Sequence, residues 1–288
     1  MRSLTNMNQE KISSLRFSVI KSLFSISFKE ILHSRLFFIY ILTFSLLALG
    51  FGYAGVKQGL YGYKGFGKFM ATLINISIIL VPLFSILPSS LSIAGARENL
   101  SFEYIFSFPL SRSEYFCSNF LSSFVANIIP PTIVFPLVSL FIRPSSEDFL
   151  NFIIILVFIL ALSFVFVSLG ILISSFAPSK SSAIALAIVL WFIFTIGGEI
   201  GILGVIQTSN LPNFIFFLFV FLNPTEIFRV STISLFSQSL DILGPFGMYI
   251  YSILGKWLIP FSFFAMIFIG FSILSLSFFI FKFKSFKM

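Results

Sequence analysis

"ARENLSFEYIFSFPLSRSEYF", Ala96–Phe116, carries five charges: Arg97, Glu98, Glu103, Arg112 and Glu114. On either side lie runs of more than twenty residues with almost none. Of the 288 residues, 58% are hydrophobic, 10% are charged and 44 are Phe. A soluble domain carries about 25% charged residues to keep its surface solvated. Most of this chain is therefore solvated by lipid, and the charged stretch is an interruption that needs a reason.

A hydrocarbon core of ~30 Å takes about 20 helical residues. The charge-poor runs predict six transmembrane helices, at about 36–56, 69–94, 115–142, 149–176, 183–206 and 257–281. The fold class is all-α. Open sheets are excluded because their edges leave backbone groups unpaired in lipid. A barrel would show short alternating segments rather than unbroken runs. The run Leu211–Leu222 has twelve residues, too few to span, and reads as a re-entrant or interfacial piece.

Lys and Arg set the orientation. With six spans, twelve of them fall on the side of the termini and six on the other. That excess predicts cytoplasmic termini in a multi-pass protein of the cell membrane. The opening stretch is then a cytoplasmic loop, and the net charge of +8 calls for no nucleic-acid partner. Residues 11–35 do not read as a signal peptide, since charges are scattered through the apolar part. They predict an amphipathic helix, with Lys11, Ser14, Ser18, Ser22, Ser25 and Lys29 opposite Ile12, Leu15, Val19, Leu23 and Ile26. Such a helix lies in the membrane interface.

Two motifs mislead. Gly62–Lys68, "GYKGFGK", fits a phosphate-binding loop but is followed by Phe69, so the magnesium-binding hydroxyl is missing. Gly50–Gly55, "GFGYAG", fits a dinucleotide fingerprint without a strand before it. Both read as glycine-rich helix ends or loops, and no ATP hydrolysis is expected of this chain. With one Cys (Cys117), one His (His33) and six Met, no metal-ligand spacing exists. No catalytic residue, metal site or cofactor is expected.

Within the opening stretch, Pro109 cannot continue a helix, so 98–108 predicts one short helix. Ser111 and Glu114 form a capping box ahead of the third span. Arg112 falls in that span's first turn, where the macrodipole opposes a cation by up to ~1 kcal/mol. The loop is therefore expected to be ordered: short helix, break, capped helix.

The stretch resembles the cytoplasmic loop of ABC-transporter permeases of the type-2 export class, E-R-E-x-G-T-L-E-x-L-L-S-x-P-[VI]-S-R-x-E. Arg97, Glu98, Glu103, Ser107, Pro109, Ser111, Arg112 and Glu114 match in register, with Leu110 a conservative replacement. Ala96, Leu100 and Asn119 depart, standing where Glu, Gly and Lys are common. "KSSAIALAIVLWF" (Lys180–Phe192) and "LNPTEIFRV" (Leu222–Val230) match further motifs, and the set is similar to the NosY-like branch. The resemblance implies a dimer of six-span permease subunits, a separate ATPase subunit below them, and residues 96–114 as the coupling segment. Arg97, Glu98, Phe102, Glu103, Phe106, Pro109, Arg112 and Glu114 would then meet the ATPase. Phe102 and Phe106, four apart, would form its apolar face. The 11–35 helix would lie beside it.

Residues 207–256 are expected outside. Asn223, Pro224 and Glu226 read as cap, first-turn proline and first-turn carboxylate of a helix over about 224–236. The resemblance makes this segment an external gate, with Glu226 and Arg229 an exposed pair worth under ~1 kcal/mol. Glu199, in "TIGGEIG", is either an interfacial carboxylate at a helix end or a polar point in the translocation path. Gly197 and Gly201 would allow close helix approach there. Two other classes stay open: a membrane anchor or assembly factor, and an ion-coupled secondary transporter. The cargo is not named by the sequence; a Phe-rich path suits an amphiphile.

Overall fold

The computed structural model describes residues 19–57, 63–99, 101–107, 110–142, 146–200, 213–235, 250 and 253–283. Among these there is no strand. The helices are α1 (Val19–Leu32), α2 (Arg35–Lys57), α3 (Tyr63–Glu98), α4 (Ser101–Phe106) and α5 (Arg112–Ile142). They continue as α6 (Ser146–Phe176), α7 (Lys180–Phe192), α8 (Asn213–Leu222), α9 (Pro224–Ser234) and α10 (Leu258–Phe283). A π-turn, Ile193–Gly197, extends α7.

Five helices are long and apolar enough to cross a membrane: Met70–Glu98, Arg112–Leu140, Asp148–Phe176, Lys180–Ile200 and Gly255–Phe283. The bent pair of Val19–Leu32 and Arg35–Phe51 makes a sixth if counted as one. The bend is 61°. It falls where Ser34 restarts the helix, its hydroxyl accepting from the Phe37 amide at 3.2 Å. Both glycine motifs fall at helix ends, one of the two placements expected: Gly50–Gly55 lies in the last turns of α2, and Tyr63–Lys68 forms the first turns of α3. Inside α2 the Gly50–Gly55 backbone is bonded to its own helix and cannot cradle a phosphate.

α6 is the central helix, packed against α3, α10, α5, α9 and α7. Its sequence is apolar all round, and from Phe158 to Ser175 it is buried on almost every side. Small residues set the closest contacts. A Cβ on Gly170 would sit 2.6 Å from Ser89 Cβ and 2.7 Å from the Ile86 carbonyl oxygen. Gly170→Val is therefore expected to push α3 off α6. Overpacking costs about 1–3 kcal/mol, and here backbone must move rather than a side-chain tip. Thermal unfolding of the purified variant should show a lower midpoint; an unchanged one would contradict this packing. α7 and α10 lie at the margin with apolar faces turned outward, among them Ile188, Val189, Phe264 and Phe268.

Candidate functional site

One end of the bundle gathers the elements that the charged stretch connects. α3 ends at Glu98, and α4 and the start of α5 follow. The Ser118 hydroxyl on α5 donates to the Ile20 carbonyl at 3.4 Å, which brings α1 to the same end. Arg97 points across to the last turn of α6. Its guanidinium donates to the Ala177 carbonyl, to Ser175 at 3.3 Å and to Ser174 at 3.5 Å. A helix leaves its last carbonyls without internal donors, and a cation there also meets the negative end of the dipole. The Ser174 hydroxyl completes the join by accepting from the Ile93 and Ala94 amides at 2.8 and 2.9 Å.

The next residue serves the next helix. Glu98 Oε2 accepts from the Lys180 amide at 2.6 Å, at the start of α7. Lys180 Nζ donates to Asn99 Oδ1 at 2.6 Å. α7 begins with a Ser179–Ser182 capping box, so it starts three residues before the predicted span. Arg97 and Glu98 thus clasp the α6–α7 turn, cation to the carbonyl end and carboxylate to the amide end. Arg112 does the same for α10, donating to the Lys282 carbonyl at 2.9 Å. That bond offsets its unfavourable place in the first turn of α5. Glu114 and Ser111 make the reciprocal box: the Ser111 amide donates at 2.9 Å, the Glu114 amide at 3.2 Å.

Arg97, Glu98, Arg112 and Glu114 hold helix ends of their own chain. Phe106 is half-buried, its ring 5.5 Å from that of Tyr115 at the edge of a second apolar cluster. Tyr104, which sequence reasoning passed over, is 69% exposed on α4. Pro109 and the side chains of Phe102 and Glu103 lie outside the described residues. Asn119, where the resembled motif has Lys, is buried and donates to the Tyr115 carbonyl at 2.9 Å.

The second cluster joins the end of α7 to α9. At the π-turn the Phe194 carbonyl accepts from both Asn223 Nδ2 and Thr225 Oγ1, each at 2.8 Å. π-turns leave a carbonyl out of the regular ladder, and here it anchors α9. Asn223 also caps α9, its Oδ1 accepting from the Thr225 amide at 3.0 Å. A Cβ on Gly198 would fall 2.4 Å from Asn223 Nδ2 and 2.8 Å from Glu226 Oε1. Gly198 permits this approach. Gly197 does not, since its Cβ would meet nothing nearer than 3.8 Å, and Gly201 lies outside the described residues.

Glu199 and Arg229 form an ion pair across this junction. Arg229 Nε also lies 3.9 Å from Glu226 Oε2. The expected exposed pair of Glu226 and Arg229 is thereby corrected. Glu226 is fully buried, Arg229 is 15% exposed, and the exposed member is Glu199 at 50%. Tertiary packing is the reason: α9 lies against α3, α6 and α10 instead of on the surface. Burial raises the Glu226 carboxyl to about 7, with Arg229 acting in the opposite direction. α9 ends at Ser234, two residues short of the prediction.

Residues 5–284 match the family model described as ABC-2 family transporter protein. The chain is 27% identical over 208 residues to the probable ABC transporter permease protein NosY of Pseudomonas aeruginosa, covering 69% of this chain and 75% of the relative. It is 25% identical over 217 residues to the protein of the same description from Stutzerimonas stutzeri, covering 72% and 78%. A family match along nearly the whole chain, and helices long enough to cross a membrane, lead to one conclusion: the chain belongs to the ABC-2 family of transporter proteins.

Proposed function

We propose that this chain is the membrane subunit of an ATP-driven exporter. Two copies form the translocation unit and a separate ATPase supplies the energy. α4 is the coupling helix, and Phe102, Glu103 and Tyr104 contribute its contacts with the ATPase. α1 lies in the cytoplasmic interface beside it. Asn223, Pro224, Glu226 and Arg229 belong to an external gate that Glu199 ties to the fifth span. The cargo is an amphiphile.

The observation that supports this reading best is the clasp. α4 is a helix of six residues, too short to be stable alone. It hangs between an Arg97–Glu98 pair fixed to α6 and α7 and an Arg112 fixed to α10. A push on α4 therefore reaches three spans at once. A loop that only linked two spans would gain nothing from such attachments.

Orientation tests the proposal. Single cysteines at Ser3, Lys64 and Ser113 would be labelled in cells with an impermeant thiol reagent. The exposed Cys117 is replaced by Ser first. Label is expected at position 64 alone; label at 3 or 113 on intact cells would place α4 where no ATPase can reach it. Transport driven by an ion gradient without ATP would favour the secondary-transporter reading instead.

A further inference from the structure

Glu226 is an ionisable group compensated only by Arg229 Nε at 3.9 Å among the described residues. Its carboxylate is fully buried, and neither oxygen has a hydrogen-bond partner among the described residues. Its neighbour Arg229 is committed to Glu199, and the Arg229 Nε is itself buried without an acceptor. One guanidinium thus stands between two carboxylates. The charged groups acting on Glu226 are Arg229, on its own helix, and Glu199, beyond the π-turn. The described residues of α3, α6, α8 and α10, which pack round α9, contribute none.

With all three groups ionised, the cluster would hold a net negative charge, and its buried member, Glu226, would be cut off from water. A buried unpaired carboxylate costs far more than a buried unpaired acid, and such groups neutralise instead. We propose that Glu226 is a proton-binding site. In the arrangement seen here it carries the proton as a neutral carboxylic acid, while Glu199 and Arg229 remain a charged pair. The proton controls how firmly α9 sits on the end of α7. When it leaves, the new carboxylate competes with Glu199 for Arg229 and repels Glu199. The contact that Gly198 makes possible is then loosened. This site stands on the cluster alone and does not depend on what the protein carries or on its ATPase.

The direction with pH follows. Burial holds the folded-state value near 7, above that of an exposed glutamate. The folded chain therefore keeps a proton that the unfolded chain has lost. Stability contributed by this group is fully present below the unfolded value and is lost as pH rises through the folded one.

Infrared spectroscopy of the full chain in lipid nanodiscs tests the site directly. With ten Asp and Glu in all, few carboxyls compete for the signal. At about pH 6, exposed carboxylates are ionised. The wild type should then show the carbonyl band of a protonated acid, shifted in heavy water and titrating away with a midpoint near 7. Glu226→Gln should lack it, and its thermal midpoint should no longer fall with rising pH. Should that variant not fold, Glu199→Gln decides the matter. Arg229 is then free to turn to Glu226, so the band should persist with its midpoint moved to lower pH. A wild type without the band, a band that survives in Glu226→Gln, or a midpoint unmoved in Glu199→Gln would each overturn the proposal.

Discussion

Arg97→Ala is expected to lower coupled ATP turnover of the assembled transporter at least tenfold while the chain still inserts into the membrane. The substitution removes the donor shared by the last carbonyls of α6. Hydrogen bonds to a charged group contribute ~1.5–3 kcal/mol, and a freed carbonyl must find water at the bundle end. Every 1.4 kcal/mol is about a factor of ten in population, so the ordered turn would be depleted by about ten- to a hundredfold. The rest of the bundle keeps its apolar core, so insertion survives. Arg97→Lys should rescue only in part, because an ammonium lacks the planar fork that reaches several carbonyls. Glu98→Lys acts at the same turn, setting a cation against the start of α7 beside Lys180. Full turnover in Arg97→Ala, measured on purified complex with its ATPase, would show that the clasp does not transmit.

The second large effect is expected on α4 itself. Tyr104→Ala and Phe102→Ala should each weaken ATPase binding by ~2 kcal/mol or more, since buried aromatics dominate protein interfaces. That corresponds to about a 30-fold rise in Kd, by the same tenfold per 1.4 kcal/mol. Phe106→Ala should behave differently. Its ring packs on Tyr115, so its loss should lower the stability of the chain more than its affinity for the ATPase. Titration of the purified ATPase against each variant separates the two outcomes. Equal affinities for all three variants and the wild type would leave α4 without a role in docking.

Lipid makes some features legible in a sequence and hides others. Five of the six predicted runs coincide with helices long and apolar enough to cross a membrane, because a hydrocarbon core demands unbroken apolar runs. The Ser111–Glu114 box could be read because its partners are three residues apart. The clasp could not: Arg97 and Ala177 are 80 residues apart, and nothing local in either segment names the other. Glu226 misled for a related reason. A carboxylate in a helix's first turn ordinarily faces water, and only the packing of α9 among three spans buries it. The signal available was Gly198, a second glycine in "TIGGEIG" that marks backbone approached closely by another helix. The π-turn left no mark in the sequence at all.

The central claim is that α4 meets an ATPase, and a photo-crosslinking residue at position 104 tests it most directly. The complex would be irradiated in membranes and the adducts identified by mass. An adduct of this chain with the ATPase is expected at position 104, and none at position 188, on the outward face of α7. Adducts with lipid alone at 104, or equal capture of the ATPase from both positions, would contradict it.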